Sequence, residues 1–347
     1  MTGATDDIDT RKLADWMSRH VAGFSGPVRL SRFSGGQSNP TYRVETPDAH
    51  YVLRRKPSGK LLKGAHAVER EARVRAALAG TDVPVPAILA LCEDDDVIGS
   101  AFYVMEMVEG RVFWDARFPD VDPAERPQYF DAMNRALAAL HSVDIEAAGL
   151  ADYGRPGNFF ERQIARWSKQ YTDDPDAGQD ANMDRLIAWL PDHIPADDSA
   201  SLVHGDFRCD NMIFHPDEPR ILAVIDWELS TLGHPLADFT YHAMMYRMPP
   251  DIVAGLAGTE LVDWNIPSED DYVAAYCRRT GRDGIPDYDF YLAFNFFRLA
   301  AIFHGIAGRV LRGNAAGEDA AARARAFPRL AALGGECVEA AMRGRSG

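Results

Sequence analysis

The stretch that decides the fold is Ser201-Leu202-Val203-His204-Gly205-Asp206-Phe207-Arg208-Cys209-Asp210-Asn211-Met212-Ile213-Phe214, with Ile221-Leu222-Ala223-Val224-Ile225-Asp226-Trp227-Glu228 shortly after it. Both segments read as short apolar strands joined by polar loops. They form an island in a chain whose pattern is otherwise mostly helical beyond residue 109. Within the first loop an aspartate and an asparagine stand with four residues between them, and a second aspartate closes the apolar strand Leu222–Ile225.

That spacing has a chemical use. Phosphoryl transfer asks little covalent chemistry of a protein: a carboxylate to take the hydroxyl proton, ligands for a metal bridging the phosphates, and rigid positioning. Asp206 and Asn211 on one loop can aim one group at an acceptor and the other at Mg2+, while Asp226 holds the metal from another side. Oxygen ligands suit Mg2+, and few are needed because phosphates supply the rest.

Working outward, residues 8–22 place Leu13, Trp16 and Met17 at helical spacing, which predicts a leading helix. Residues 28–46 read as strand, glycine-containing turn, strand. Tyr51 to Pro57 (YVLRRKP) reads as a third strand, ended by Pro57. Residues 66–80 read as a helix closed by Gly80, and an apolar strand from Ala101 ends at Glu109-Gly110. Beyond it helices are predicted over 123–143, 158–171, 181–191, 235–247, 268–280 and 288–312. The expectation is an α+β chain of two lobes. Residues 1–108 form a small β-rich lobe, residues 109–347 a larger helical one, and a cleft lies between them.

The two loops resemble the catalytic and metal-binding loops of the aminoglycoside phosphotransferase and choline kinase group, which has the bilobal protein-kinase-like fold. His204-Gly205-Asp206 stands where protein kinases carry His-Arg-Asp, and Asp226 stands where they carry the Asp of Asp-Phe-Gly. The resemblance implies that Asp206 is the catalytic base and that Asn211 and Asp226 bind Mg2+. It implies ATP as phosphoryl donor, with GTP as the alternative. Glu228 either joins the metal, caps a helix or pairs with a basic residue. Asp238 also matches the group and is expected to hold the catalytic loop, while His204 orients that loop.

The resemblance runs from about residue 27 to about 312. Ser34-Gly35-Gly36-Gln37-Ser38-Asn39 lies between two strands, as a phosphate-covering loop does. Gly35 and Gly36 would let the backbone approach, and Ser38 and Asn39 would donate hydrogen bonds. A Gly-Gly hairpin turn looks the same, and the Gly-x-x-x-x-Gly-Lys-Ser/Thr pattern of P-loop proteins is missing. Arg54 replaces the strand lysine of protein kinases and is expected to bind Glu71 and a phosphate oxygen together. Lys56 competes for that role on the same strand face, Arg55 points away, and a plain solvated helix face is the alternative. Phe102 to Gly110 resembles the hinge. There adenine would meet the carbonyl of Glu106 and the N–H of Val108, with Met105 at the back of the pocket.

The closest resemblance is to a subgroup found beside, or fused to, acyl-CoA dehydrogenases. It rests on residues 54–74, 90–113 and 225–239. It implies a hydroxyacyl-CoA or hydroxy acid as acceptor and a functional link to such a dehydrogenase. The broader family implies an aminoglycoside or similar aminated polyol instead. A nucleotide-binding module without turnover is the reading from another class, favoured only by Arg54. Arg298 sits among Phe296, Phe297 and Leu299, so it is expected to have an anionic partner, either Asp238 or a substrate anion.

Composition sets the limits. A net charge of −15 disfavours nucleic-acid binding, which needs clustered Lys and Arg, and would suit a cationic substrate or solubility alone. The four cysteines form no Cys-x-x-Cys pair, so neither disulfides nor a zinc site is expected. No transmembrane run is expected, and the polar start at residues 1–12 predicts a cytoplasmic protein without a signal peptide.

Overall fold

The structure is a computed structural model that describes residues 8–33, 39–57, 66–314 and 320–344. It begins with α1 (Thr10–His20), β1 (Arg29–Arg32), β2 (Thr41–Glu45), β3 (His50–Arg55) and α2 (Val68–Leu78). Next come β4 (Ile88–Cys92), the single-turn α3 (Asp95–Ile98) and β5 (Phe102–Glu106). Then follow α4 (Arg126–His141), α5 (Phe159–Thr172), α6 (Ala181–Trp189), β6 (Ser201–Val203), β7 (Met212–Phe214), β8 (Ile221–Val224) and β9 (Thr231–Gly233). The last elements are α7 (Pro235–Ala243), α8 (Glu269–Thr280), α9 (Tyr288–Leu311) and α10 (Ala320–Gly344).

The chain folds as two compact units. The smaller comprises Met1–Arg111, Ile213–Pro216 and Ile221–Leu229; the larger comprises Val112–Met212, Asp217–Arg220 and Ser230–Gly347. The expected boundary at 108/109 therefore falls at 111/112, and the hairpin leading to Asp226 belongs with the smaller unit. Hydrogen bonds explain why. Arg111 and Phe214 exchange both backbone bonds at 2.8 Å, and Val224 N donates to Pro84 O at 2.8 Å.

In the smaller unit an antiparallel sheet runs in the order β1-β2-β3-β5-β4. Side chains alternate across it. Tyr51, Leu53, Phe102 and Val104 pack with Leu13, Trp16 and Met17 of α1, whereas Val52, Tyr103 and Met105 pack with Val68 and Ala72 of α2. Arg54 shares the parity of Val52 and so belongs to the α2 face. β5 stops at Glu106 rather than at Glu109-Gly110. β4, α3 and α10 add to the elements the pattern predicted.

The larger unit is built round α9. This helix is long and apolar enough to cross a membrane by length and composition alone, but 83% of its most apolar stretch is buried inside the protein. It packs against α5, α7 and α10. Asn295 Nδ2 donates to Ala237 O at 2.9 Å and Thr240 Oγ1 at 2.8 Å, and Gln170 Nε2 donates to Ala301 O at 3.0 Å. The length that resembles a membrane span serves as a core axis.

His242 of α7 is fully buried, with Nδ1 3.1 Å from Phe207 O and Nε2 2.7 Å from the Tyr272 hydroxyl. Burial lowers its pKa from 6.5 to about 4, and burial also lowers that of His234. Between those values the unfolded chain binds more protons than the folded one, so stability falls as pH falls through that window. Urea unfolding should show the wild type about 2 kcal/mol less stable at pH 5 than at pH 7.5 for His242 alone. His242→Gln should flatten that slope; an unchanged slope removes His242 as its source.

Candidate active site

In the smaller unit, strand register builds the first group of residues. Thr41 pairs with Arg54, and Arg54 with Tyr103, so the three form a row across β2, β3 and β5 on the α2 face. Glu71 of α2 comes down onto that row. Its carboxylate lies 2.9 Å from Arg54 Nε, accepts from Asn39 Nδ2 at 2.7 Å and from the Tyr103 hydroxyl at 3.0 Å, and is 1% exposed. Lys56, on the same strand face, reaches Glu69 instead at 2.8 Å, while Arg55 turns to Ser100 Oγ at 3.1 Å. The structure thus brings Arg54 and Glu71 together.

Arg54 also reaches the β7–β8 hairpin: its Nη2 lies 3.0 Å from Asp226 Oδ1 and 3.7 Å from Glu228 Oε2. Nη1 donates to Thr41 Oγ1 at 3.3 Å. Every guanidinium nitrogen thus has a protein partner, Nε and Nη2 on carboxylates and Nη1 on a hydroxyl. Burial would depress the Arg54 pKa, but Glu71, Tyr103, Asp226 and Glu228 push it above its ordinary value and keep the group charged. Asp226 sits in left-handed backbone at φ +64, a conformation non-glycine residues adopt chiefly where the surroundings enforce it.

Gly35, Gly36 and Ser38 lie outside the described residues. Asn39 is fully buried and donates from its side-chain amide to Glu71. Met105 is buried on the α2 face with its Sδ 2.7 Å from Arg75 Nη1. Glu106 is exposed at the end of β5, and Val108 is half-buried beyond it.

In the larger unit the second group gathers on the loop between β6 and β7. Asp238 is buried and accepts from His204 N at 2.7 Å, Gly205 N at 2.8 Å and His141 Nε2 at 3.2 Å. These contacts hold its carboxyl below the usual range against the opposing effect of burial. Asp206 Oδ1 accepts from the Tyr241 hydroxyl and lies 3.2 Å from Arg208 Nε, whose Nη2 is 3.1 Å from Asp210. Oδ2 accepts only from Asn211 Nδ2, at 3.0 Å, among the described residues. Burial would raise the Asp206 pKa, yet Arg208, Tyr241, His204 and Arg298 bring it below the ordinary value. Asp206 is therefore an ionised carboxylate with one oxygen saturated and the other open to a further donor.

Arg298 does not pair with Asp238. Its Nη2 donates to Gly205 O at 2.9 Å, and its guanidinium carbon lies 5.3 Å from the Tyr241 ring centre. A backbone carbonyl and an aromatic face, with Asp206 acting at longer range, take the place of the expected direct carboxylate contact. Beside Asp206 a narrow pocket is lined by Arg208 and Tyr241 and by Met244, Met245, Met248, Val253 and Ala254. Its far wall is fixed by Leu256 N to Met245 O at 2.8 Å and Ala257 N to Met248 O at 3.0 Å. A Cβ on Gly255 would lie 1.9 Å from Met248 O, so only glycine permits that approach.

No group of three or more His, Cys, Asp or Glu side chains suited to a metal occurs among the described residues. The donors are oxygens: Asp226, and Asn211 Oδ1, whose Nδ2 is committed to Asp206. Each is a hard oxygen donor of the kind Mg2+ takes when phosphates supply its other ligands.

Residues 29–294 match the family described as "Phosphotransferase enzyme family". The chain belongs to that family. It is 45% identical over 298 residues to mouse acyl-CoA dehydrogenase family member 10, covering 85% of this chain and 28% of that protein. It is 40% identical over 334 residues to rat acyl-CoA dehydrogenase family member 11, covering 94% of this chain and 43% of that protein. The chain thus spans less than half the length of these curated relatives. A Ralstonia eutropha crystal structure, described provisionally as an aminoglycoside phosphotransferase, is 50% identical with a TM-score of 0.89 over 95% of this chain and 98% of that one. Aminoglycoside phosphotransferase APH(4)-Ia, in ternary complex with AMP-PNP and hygromycin B, shares the fold at 16% identity, with a TM-score of 0.61 over 95% of this chain and 99% of that one. The fold is the protein-kinase-like phosphotransferase fold.

Sequence reading of this phosphotransferase overlooked four residues. Arg208 lies inside the quoted loop, two positions after Asp206, where the alternation of charges was the available signal. Tyr241 stands three residues after Asp238 on α7, one helical turn on. His141 and Arg75 gave no local signal, because their partners are distant in sequence. Asp206→Asn should lower phosphoryl transfer by roughly 10²–10⁴-fold while nucleotide affinity, read by calorimetry, stays within a few-fold. Turnover near the wild-type rate would remove Asp206 from the reaction.

Proposed function

We propose that the chain transfers the terminal phosphoryl group of ATP, with Mg2+, to the hydroxyl of a hydroxyacyl-CoA or a free hydroxy acid. The observation that carries this reading is the Asp206 carboxylate: ionised, held by Tyr241, Arg208 and Asn211, and open at Oδ2. In the reaction the acceptor oxygen bonds to phosphorus as the bond to the ADP oxygen breaks. The hydroxyl proton passes to Asp206 Oδ2. Asn211 Oδ1 and Asp226 would hold the metal, which when bound neutralises charge on the phosphates. Asp238 keeps the loop backbone still, so positioning supplies much of the rate.

The acceptor class is argued from the pocket beside Asp206. Three nearly buried methionines with Val253 and Ala254 line a pocket about the size of one water, bordered by Arg208, which an acyl chain would enter by displacing them. Methionines adapt to flexible apolar chains. An aminated polyol would seek carboxylates there; Asp210, on the same loop, is already paired with Arg208. The names of the curated relatives support an acyl compound and a partner acyl-CoA dehydrogenase.

The purified chain should be incubated with ATP, Mg2+, a panel of hydroxyacyl-CoAs and hydroxy acids, and several aminoglycosides, with products read by ³¹P NMR and mass. A phosphorylated hydroxyacyl product, absent with Asp206→Asn, is the expected result. Phosphorylation of aminoglycosides alone would overturn the acceptor class, and no transfer to any acceptor would favour a nucleotide-binding module.

A further inference from the structure

Arg54 stands where its charge has two competing uses. Nε is on Glu71 at 2.9 Å, and Glu71 itself is fixed by Asn39 and Tyr103. Nη2 is on Asp226 Oδ1 at 3.0 Å, with Glu228 Oε2 at 3.7 Å. The Asp226 carboxylate therefore already carries a monovalent cation, one that is itself buried and cannot drift away. A divalent ion approaching Asp226 meets a fixed like charge on the carboxylate it would bind.

We propose that Arg54 gates metal loading: it occupies Asp226 until a polyphosphate anion draws Nη2 away, so a divalent cation enters with the nucleotide and not before it. This rests on the reading of Asp226 as a metal ligand. The movement required is small. Glu71 retains Nε as the pivot, and the phosphates replace Asp226 as the partner of Nη2, so the guanidinium keeps its charge partners throughout. The planar fork is what makes the exchange feasible: one edge stays on Glu71 while another changes partner. A lysine ammonium is a point charge and would have to leave one carboxylate to serve the other. Glu228 contributes by holding Nη2 over the hairpin, and Asp226 φ of +64 keeps its carboxylate turned to meet it.

The test is Mn2+ binding, followed by the EPR signal of the free ion, with the whole chain and no acceptor. Without nucleotide, Arg54→Gln should bind Mn2+ on the order of 10-fold more tightly than the wild type, the effect of removing one nearby positive charge. Asp226→Asn added to Arg54→Gln should abolish that gain, which places it at Asp226. If Arg54→Gln does not fold, Arg54→Met keeps the apolar stem and carries the same expectation. Nucleotide-free Mn2+ binding no tighter in either variant overturns the gate. Asp226→Asn binding Mn2+ with ADP as well as the wild type does overturns the metal assignment itself, whatever Arg54 variants show.

Discussion

Four consecutive residues of the loop after β6 are tied to one stripe of α7. Asp238 accepts from His204 N and Gly205 N, the Tyr241 hydroxyl meets Asp206, and His242 Nδ1 lies 3.1 Å from Phe207 O. Positions 238, 241 and 242 are neighbours on a helix surface, so one rigid face fixes backbone, carboxylate and carbonyl together. The stripe is in turn held from behind. Asn295 of α9 binds Ala237 O and Thr240 Oγ1, and Tyr276 of α8 lies 2.7 Å from His141 Nδ1 while His141 Nε2 meets Asp238. A buried carboxylate missing one such partner would cost roughly 3–5 kcal/mol, which is why Asp238 is a hinge-pin of the loop and not a spare acid.

The smaller unit solves a similar problem with a sheet. Period-two alternation puts Arg54 on the α2 face and Arg55 on the other, so two adjacent arginines have unrelated fates. Arg54 is compensated by a ring of carboxylates, Arg55 by the Ser100 hydroxyl and the Lys56 carbonyl. Glu71 is the keystone of the ring because it is shared by Arg54, Asn39 and Tyr103 and lies 3.9 Å from Arg75. Strand register, which aligns Thr41, Arg54 and Tyr103, is what makes that sharing geometrically available.

Local pattern made much of this legible. The six helices predicted beyond residue 109 are found within a few residues of their expected bounds, because amphipathic spacing and capping residues act over one or two turns. The loop that carries Asp206 and Asn211 was readable because its residues are contiguous, and the structure pairs the two side chains at 3.0 Å. What escaped was tertiary. The transfer of the Asp226 hairpin to the smaller unit depends on backbone bonds to Arg111 and Pro84, which carry no side-chain signature. The length of α9 read by composition alone is ambiguous between a core axis and a span, and only its packing decides. Arg298 defeated a sound rule: a half-buried cation needs compensation, but a carbonyl dipole and an aromatic face supplied the direct contacts.

The net charge of −15 suited either a cationic substrate or solubility alone, whereas two guanidinium groups, those of Arg208 and Arg298, act on Asp206. Both statements hold, and distance reconciles them. Charges scattered over a surface are screened beyond a Debye length of about 8 Å in physiological salt, so their sum says little about one loop. Arg208 lies 3.2 Å from Asp206, and Arg298 is close enough to lower its pKa. At that range, in a partly desolvated setting, two fixed guanidinium groups outweigh a surplus of solvated carboxylates elsewhere. Arg208 and Arg298 therefore act on the ionisation of Asp206 whatever the sign of the protein's average charge. Surface acidity governs solubility and long-range encounter, while the ionisation of Asp206 is set by the Arg208, Tyr241, His204 and Arg298 groups near it against the effect of burial.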